Sequence, residues 1–125
     1  MIAVDSSTFI HGLNGVRSEK VSLMRQAMVE ERLLLPFAVV TEVLSFVQAT
    51  PDLAQVIDAF PRLALRDGFW ERAGHSRRLI LARGLKARLG DTLVAQACID
   101  GDIPLIASDG DFRHFAAHCG LRLAV

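Results

Sequence analysis

Apolar residues along this chain fall alternately into short unbroken runs and into stretches with helical spacing. Ile2 to Val4 reads as a buried strand that ends at Asp5. Ser6, Ser7 and Thr8 follow it and can satisfy the free backbone donors where a helix or turn begins. Lys20 to Glu30 places Val21, Leu23, Met24, Ala27 and Met28 at helical spacing. Arg32 to Leu35 is a second strand, and Pro36 suits the first turn of a helix over roughly Phe37 to Ala49. Pro51 starts a short helix through about Phe60, with Pro61 closing it. Leu63 to Leu65 predicts a third strand. Gly68 to Arg83 has helical spacing and Gly84 can terminate it. Asp91 caps a further helix through about Asp100, which Gly101 ends. Ile103 to Ala107 predicts a strand whose first positions tolerate Pro104. Asp111 to His118 reads as a short helix and Leu121 to Val125 as a last strand. Strands alternating with helices imply an α/β fold with a mostly parallel sheet covered on both faces.

Length and composition narrow this picture. At 125 residues the chain is expected to form one domain over 1–125, and 51% hydrophobic content is ample for a packed core. No apolar run is long enough to span a bilayer; Phe37 to Val47 is already interrupted by Thr41, Glu42 and Ser45. No secretory signal opens the chain, so a cytoplasmic location is the default expectation. Cys98 and Cys119 are too few for a disulfide framework and lack partners at zinc-ligand spacing, which leaves them as small buried hydrophobes.

The polar residues that interrupt the apolar pattern carry the chemistry. Asp5 follows the first strand, Glu42 breaks the run Val39-Val40-Thr41-Glu42-Val43-Leu44, Asp91 opens Asp91-Thr92-Leu93-Val94-Ala95, and Asp109 follows Pro104 to Ser108. In open parallel sheets ligands gather beyond the carboxyl ends of the strands, where Asp5 and Asp109 fall directly. Carboxylates brought together there repel one another and call for a cation, most naturally magnesium or manganese held by oxygen ligands. Asp111, two residues after Asp109, can join them directly or through water. Each of the first four acids also has an ordinary use: Asp5 and Asp91 as helix caps, Glu42 paired with an arginine or turned to the periphery, and Asp109-Gly110 as a common turn.

Net charge is zero, with 14 basic and 14 acidic side chains, so bulk charge announces no polyanion partner. Its distribution is more informative. Arg72, Arg77, Arg78, Arg83, Lys86 and Arg88 form a stretch with no acid, leaving eight bases and fourteen acids elsewhere. A basic face beside an acidic pocket suits phosphate-backbone binding, and an amphipathic helix with a solvated face is the plainer alternative. His11, His75 and the pair His114 and His118 read as structural or solvent-facing, and Trp70 as a packing anchor. There is no Walker A loop, dinucleotide fingerprint or G-x-S-x-G elbow.

With these residues in order, the whole chain resembles the PIN-domain family, especially small toxin ribonucleases of the VapC type. The matching segments are Ile2-Ala3-Val4-Asp5-Ser6-Ser7, Thr41-Glu42-Val43-Leu44, Asp91-Thr92-Leu93-Val94-Ala95 and Ala107-Ser108-Asp109-Gly110-Asp111-Phe112. The resemblance implies a three-layer α/β/α sandwich whose acidic pocket binds Mg2+ or Mn2+ and cuts RNA. It matches Asp5, Glu42, Asp91 and Asp109 to the family's four acids and Asp111 to an additional one. Ser6 matches a small polar position that supports the first aspartate. Ala107 stands where the family often carries threonine or serine, with Ser108 beside it to compensate. The resemblance further implies a homodimer paired with an antitoxin protein.

The resulting expectation is hydrolysis of RNA phosphodiesters by metal-activated water, leaving a 5′-phosphate and a 3′-hydroxyl, with Arg72 to Arg88 positioning the backbone. Two alternatives stay open: a DNA-directed nuclease, and a non-catalytic RNA-binding or protein-interaction module that keeps the acidic pocket.

Overall fold

The computed structural model describes every residue except Val47 and Ala49. Four strands form one sheet: β1 (Ile2–Val4), β2 (Leu33–Pro36), β3 (Arg62–Leu63) and β4 (Leu105–Ile106), in the order β3-β2-β1-β4. All neighbouring pairs are parallel, with Ala3 opposite both Leu34 and Leu105, and Leu35 opposite Arg62. Helices α1 (Ser6–Leu13) and α2 (Glu19–Val29) connect β1 to β2, and α3 (Phe37–Leu44) and α4 (Leu53–Asp58) connect β2 to β3. Helices α5 (Phe69–Ala82) and α6 (Leu89–Gly101) lead back to β4, and α7 (Phe112–Cys119) follows. The predicted α/β sandwich with a parallel sheet between helices is therefore what the chain adopts.

The strands are short but wholly interior, which explains their unbroken apolar runs. Ala3, Val4, Leu105 and Ile106 have no solvent exposure, and Leu33 and Leu35 almost none. One continuous core joins them to Phe9, Val39, Val43, Ile80, Val94, Phe112 and Phe115. From β1 the chain moves outward to β2 and β3, then crosses back to place β4 on the other side of β1. Right-handed crossovers running in opposite directions put their helices on opposite faces of the sheet. The reversal leaves a crevice at the carboxyl ends of β1 and β4, the point where such sheets bind ligands. Among the described residues, no helix is long and apolar enough to cross a membrane.

Several expected boundaries shift for identifiable reasons. Helix α6 starts at Leu89 behind an extended Arg88, so Asp91 sits inside its first turn and is not its cap. The helix runs through Gly101, and Asp102 takes the left-handed position after it at φ 52°. The strand expected over Ile103 to Ala107 contracts to Leu105–Ile106, and that over Leu63 to Leu65 becomes Arg62–Leu63. With β4 only two residues long, Leu121 to Val125 finds too little edge to pair with; Leu123 alone bridges to Leu105. The helix expected over Phe37 to Ala49 ends at Leu44, where Ser45 turns its hydroxyl back onto the Thr41 carbonyl. The end of that expected helix, at Val47 and Ala49, lies outside the described residues. Trp70 is no packing anchor: it is 63% exposed, and Phe69 beside it takes the buried position.

Candidate metal centre

Asp5 forms the floor of the crevice. It is 2% exposed, and a carboxylate removed from water this far costs several kcal/mol unless its oxygens are satisfied. Three backbone amides do so. Its Oδ1 accepts from Thr8 N–H at 2.9 Å, capping α1, while Oδ2 accepts from Ser108 N–H at 2.9 Å and Asp109 N–H at 3.3 Å. Asp5 thereby ties the end of β1 to the loop after β4. A side-chain contact reinforces the tie: the Thr8 and Ser108 hydroxyls are 2.7 Å apart. Thr8 is fully buried, and sequence reading gave it only a role at the helix start.

Above this floor stand the other acids. Asp91, Asp109 and Asp111 are half-buried, and each offers a carboxylate oxygen within 4.8 Å of the others. Asp109 Oδ1 accepts the Asp111 N–H at 2.9 Å, which folds the Asp109-Gly110-Asp111 turn so that both carboxylates stay on one side. Asp91 arrives from α6. Its Oδ2 is buried with no hydrogen-bond partner among the described residues. Glu42 arrives from α3, where β2 passes into the helix at Pro36 with no loop between them, and Val39 and Val43 anchor the inner face. Glu42 Oε1 accepts the Ser6 hydroxyl at 3.2 Å, so Ser6 supports Glu42 and not Asp5.

Electrostatics bear the marks of crowding. Burial, and then the nearby carboxylates of Asp109 and Glu42, push Asp91 up to about 6, with Arg88 opposing weakly. Glu42 is also raised, first by burial and then by Asp5 and Asp109, against the Ser6 hydrogen bond. An orphaned buried oxygen among mutually repelling carboxylates is an incomplete arrangement. A hard divalent cation would complete it: all donors are oxygens, and their spread matches the roughly 4–5 Å width of an oxygen coordination shell. Magnesium and manganese both fit such a donor set. Among the described residues no cysteine or histidine joins this group, so it offers no softer ligand.

Of the acids expected to meet, Asp91, Asp109 and Asp111 form the tight group, Glu42 lies alongside, and Asp5 secures the backbone below. His114, read as structural, has Nε2 3.8 Å from Asp111 Oδ1 at the rim.

The basic stretch is less uniform than its sequence. Arg72 spends its guanidinium on Asp100, at 2.9 and 2.6 Å, and on the Asp67 carbonyl. Arg77 donates to the Ala87 carbonyl, and Arg78 lies 3.2 Å from His75 Nδ1. Arg83, Lys86 and Arg88 are exposed.

Comparison with known families agrees with this geometry. The sequence matches the family model for the PIN domain over residues 2–118. The chain belongs to the PIN-domain family. No curated protein matches it. Family, fold and a clustered acidic triad are together consistent with a metal-dependent nuclease.

Proposed function

We propose that this PIN-domain protein is a Mg2+- or Mn2+-dependent endoribonuclease that hydrolyses RNA phosphodiesters, and that it is the toxin of a toxin–antitoxin pair. The observations that carry the nuclease reading are two: Asp91 has a buried Oδ2 with no partner among the described residues, and it offers a carboxylate oxygen within 4.8 Å of those of Asp109 and Asp111. In this reading Asp91, Asp109 and Asp111 hold the cation, and Glu42 orients water beside it. Asp5 keeps the Ser108–Asp109 backbone in place through its amide hydrogen bonds. A bound divalent cation would lower the pKa of water and offset charge developing on the phosphate. Arg83, Lys86 and Arg88, with Arg77 and Arg78, steer and position the phosphate backbone and read no bases. The toxin role, the cognate antitoxin and a homodimer rest on the VapC-like order of the motifs.

The test is cleavage of a mixed RNA pool by purified protein with Mg2+ or Mn2+, mapping both product ends and running matched DNA in parallel. New 5′-phosphate and 3′-hydroxyl ends that vanish with EDTA and in Asp109→Asn are expected. Preferential cutting of DNA would reassign the substrate. A second reading has one observation in its favour: Ala107 is buried with no hydroxyl at its position. RNA binding without new ends under either metal would establish that non-catalytic alternative.

A further inference from the structure

We infer that Gly90 is a positioning residue whose missing side chain makes the room in which the Glu42 carboxylate sits against the first turn of α6. Glycine is the poorest helix former after proline, so one inside a helix needs a reason. Backbone geometry gives none here, because Gly90 is not among the glycines with positive φ. Space does. A Cβ built on Gly90 would stand 3.0 Å from Glu42 Oε2, 3.4 Å from Cδ and 3.8 Å from Oε1, and these are the three nearest atoms. The carboxylate, Oε2 foremost, therefore occupies the space beside the bare Cα that a side chain at position 90 would need.

Its freedom to yield is limited on the other side, where Glu42 Oε1 accepts the Ser6 hydroxyl at 3.2 Å. A methyl group at position 90 would push Oε2 away from α6, and so away from Asp91, the next residue along. A few tenths of an ångström there would displace the water that Glu42 orients beside a coordination shell whose distances hold within about 0.2 Å. The inference rests on the metal-dependent nuclease reading for what Glu42 does, though not for where it lies.

A double-mutant cycle on the full chain tests it: wild type, Gly90→Ala, Glu42→Ala and the double variant. Melting temperature is measured in EDTA, and Mn2+ affinity by calorimetry. With Glu42 present, Gly90→Ala is expected to weaken Mn2+ binding about tenfold, as for residues that orient ligands, and to leave the melting temperature unchanged or lower. With Glu42→Ala, the same substitution should act as an ordinary helix improvement, raising the melting temperature by about 3 °C with no effect on Mn2+. An equal rise in both backgrounds overturns the inference. So does unchanged Mn2+ affinity in Gly90→Ala, which would leave a packing residue only. If the wild-type chain binds no Mn2+, the metal reading fails by itself, and the thermal cycle still decides whether Gly90 makes room for Glu42.

Discussion

Helix α6 carries an aspartate near each end, and the two are built in opposite ways. Asp100, at the carboxyl end, faces the unfavourable pole of the helix dipole. It is compensated by Arg72 through two hydrogen bonds and by Gln96 Nε2 at 2.9 Å, and Gln96 in turn accepts the Ser76 hydroxyl at 2.6 Å. Those bonds, Arg72 first, hold the Asp100 carboxyl below its ordinary value. Asp91, at the amino end, has the favourable pole of the dipole and yet is pushed up to about 6 by burial and its acidic neighbours. One aspartate joins α5 to α6; the other is held in a state that folding alone does not satisfy. Opposite displacements on one helix separate a charge that the fold compensates from one that it leaves uncompensated, the pattern from which the proposed metal site is argued.

The largest effect that would break this contrast concerns Asp5, which shares the crevice with Asp91 but has the satisfied character of Asp100. Asp5→Asn turns an amide nitrogen toward backbone N–H donors on one side or the other, leaving buried donors unpaired. Denaturant unfolding in EDTA is expected to show a loss of about 2–4 kcal/mol. Asp109→Asn should cost less than about 1 kcal/mol, because it also removes one repelling charge. Both should suppress metal-dependent cleavage, by at least about a hundredfold for Asp109→Asn. Equal stability of the two variants would mean that Asp5 is not the organiser of the crevice.

A pH series sharpens the contrast at smaller amplitude. A raised carboxyl means that, between the unfolded value near 4 and the folded value near 6, folded Asp91 keeps a proton that the unfolded chain has lost. Stability of the metal-free protein should therefore fall as pH rises through that window and level off above it. Asp91 is partly solvated, so the fall is on the order of 1 kcal/mol. Glu42 contributes with the same sign. Asp100 has the reverse sign: its contribution is present above the unfolded value and lost at lower pH as it protonates. Urea midpoints between pH 4 and 7 in EDTA check this, and Asp91→Asn should flatten the curve. A wild-type profile that rises across the window would remove the claim of electrostatic tension.

Much of this was legible in the residues, because an acid that interrupts an apolar run has few structural uses. Asp5 and Asp109 follow interior strands, and Glu42 sits among valines that must face the core. What stayed hidden depends on three-dimensional facing. Asp91 before Thr92-Leu93-Val94-Ala95 has the pattern of an N-cap, which predicts that α6 opens there, whereas extended Arg88 sets its start and Gly90 lies inside it against Glu42. Trp70 and Phe69 are equally apolar, but neighbours on a helix point about 100° apart and only one can be buried. Leu121 to Val125 has strand composition, and pairing failed for want of a long enough partner edge. Thr8 reads only as part of a helix start, and its tie to the site shows once Ser108 is folded beside it.

Arg72 gives the smallest and most discriminating test, because spacing grouped it with five other bases and folding placed Asp100 on it. A phosphate contact made by Arg83 or Arg88 releases counterions, so Arg83→Ala or Arg88→Ala should weaken RNA binding across sequences and reduce the salt slope by about one each. Arg72→Ala should lower the denaturation midpoint by stranding Asp100, yet leave the slope of binding against salt nearly unchanged. Binding measured between 50 and 200 mM salt, roughly the range over which such slopes are resolved, separates the two behaviours. If Arg72→Ala lowers the slope as much as Arg88→Ala does, the guanidinium reaches phosphate in spite of Asp100. The carboxyl end of α6 would then belong to the functional surface, and the division between its two ends would be lost.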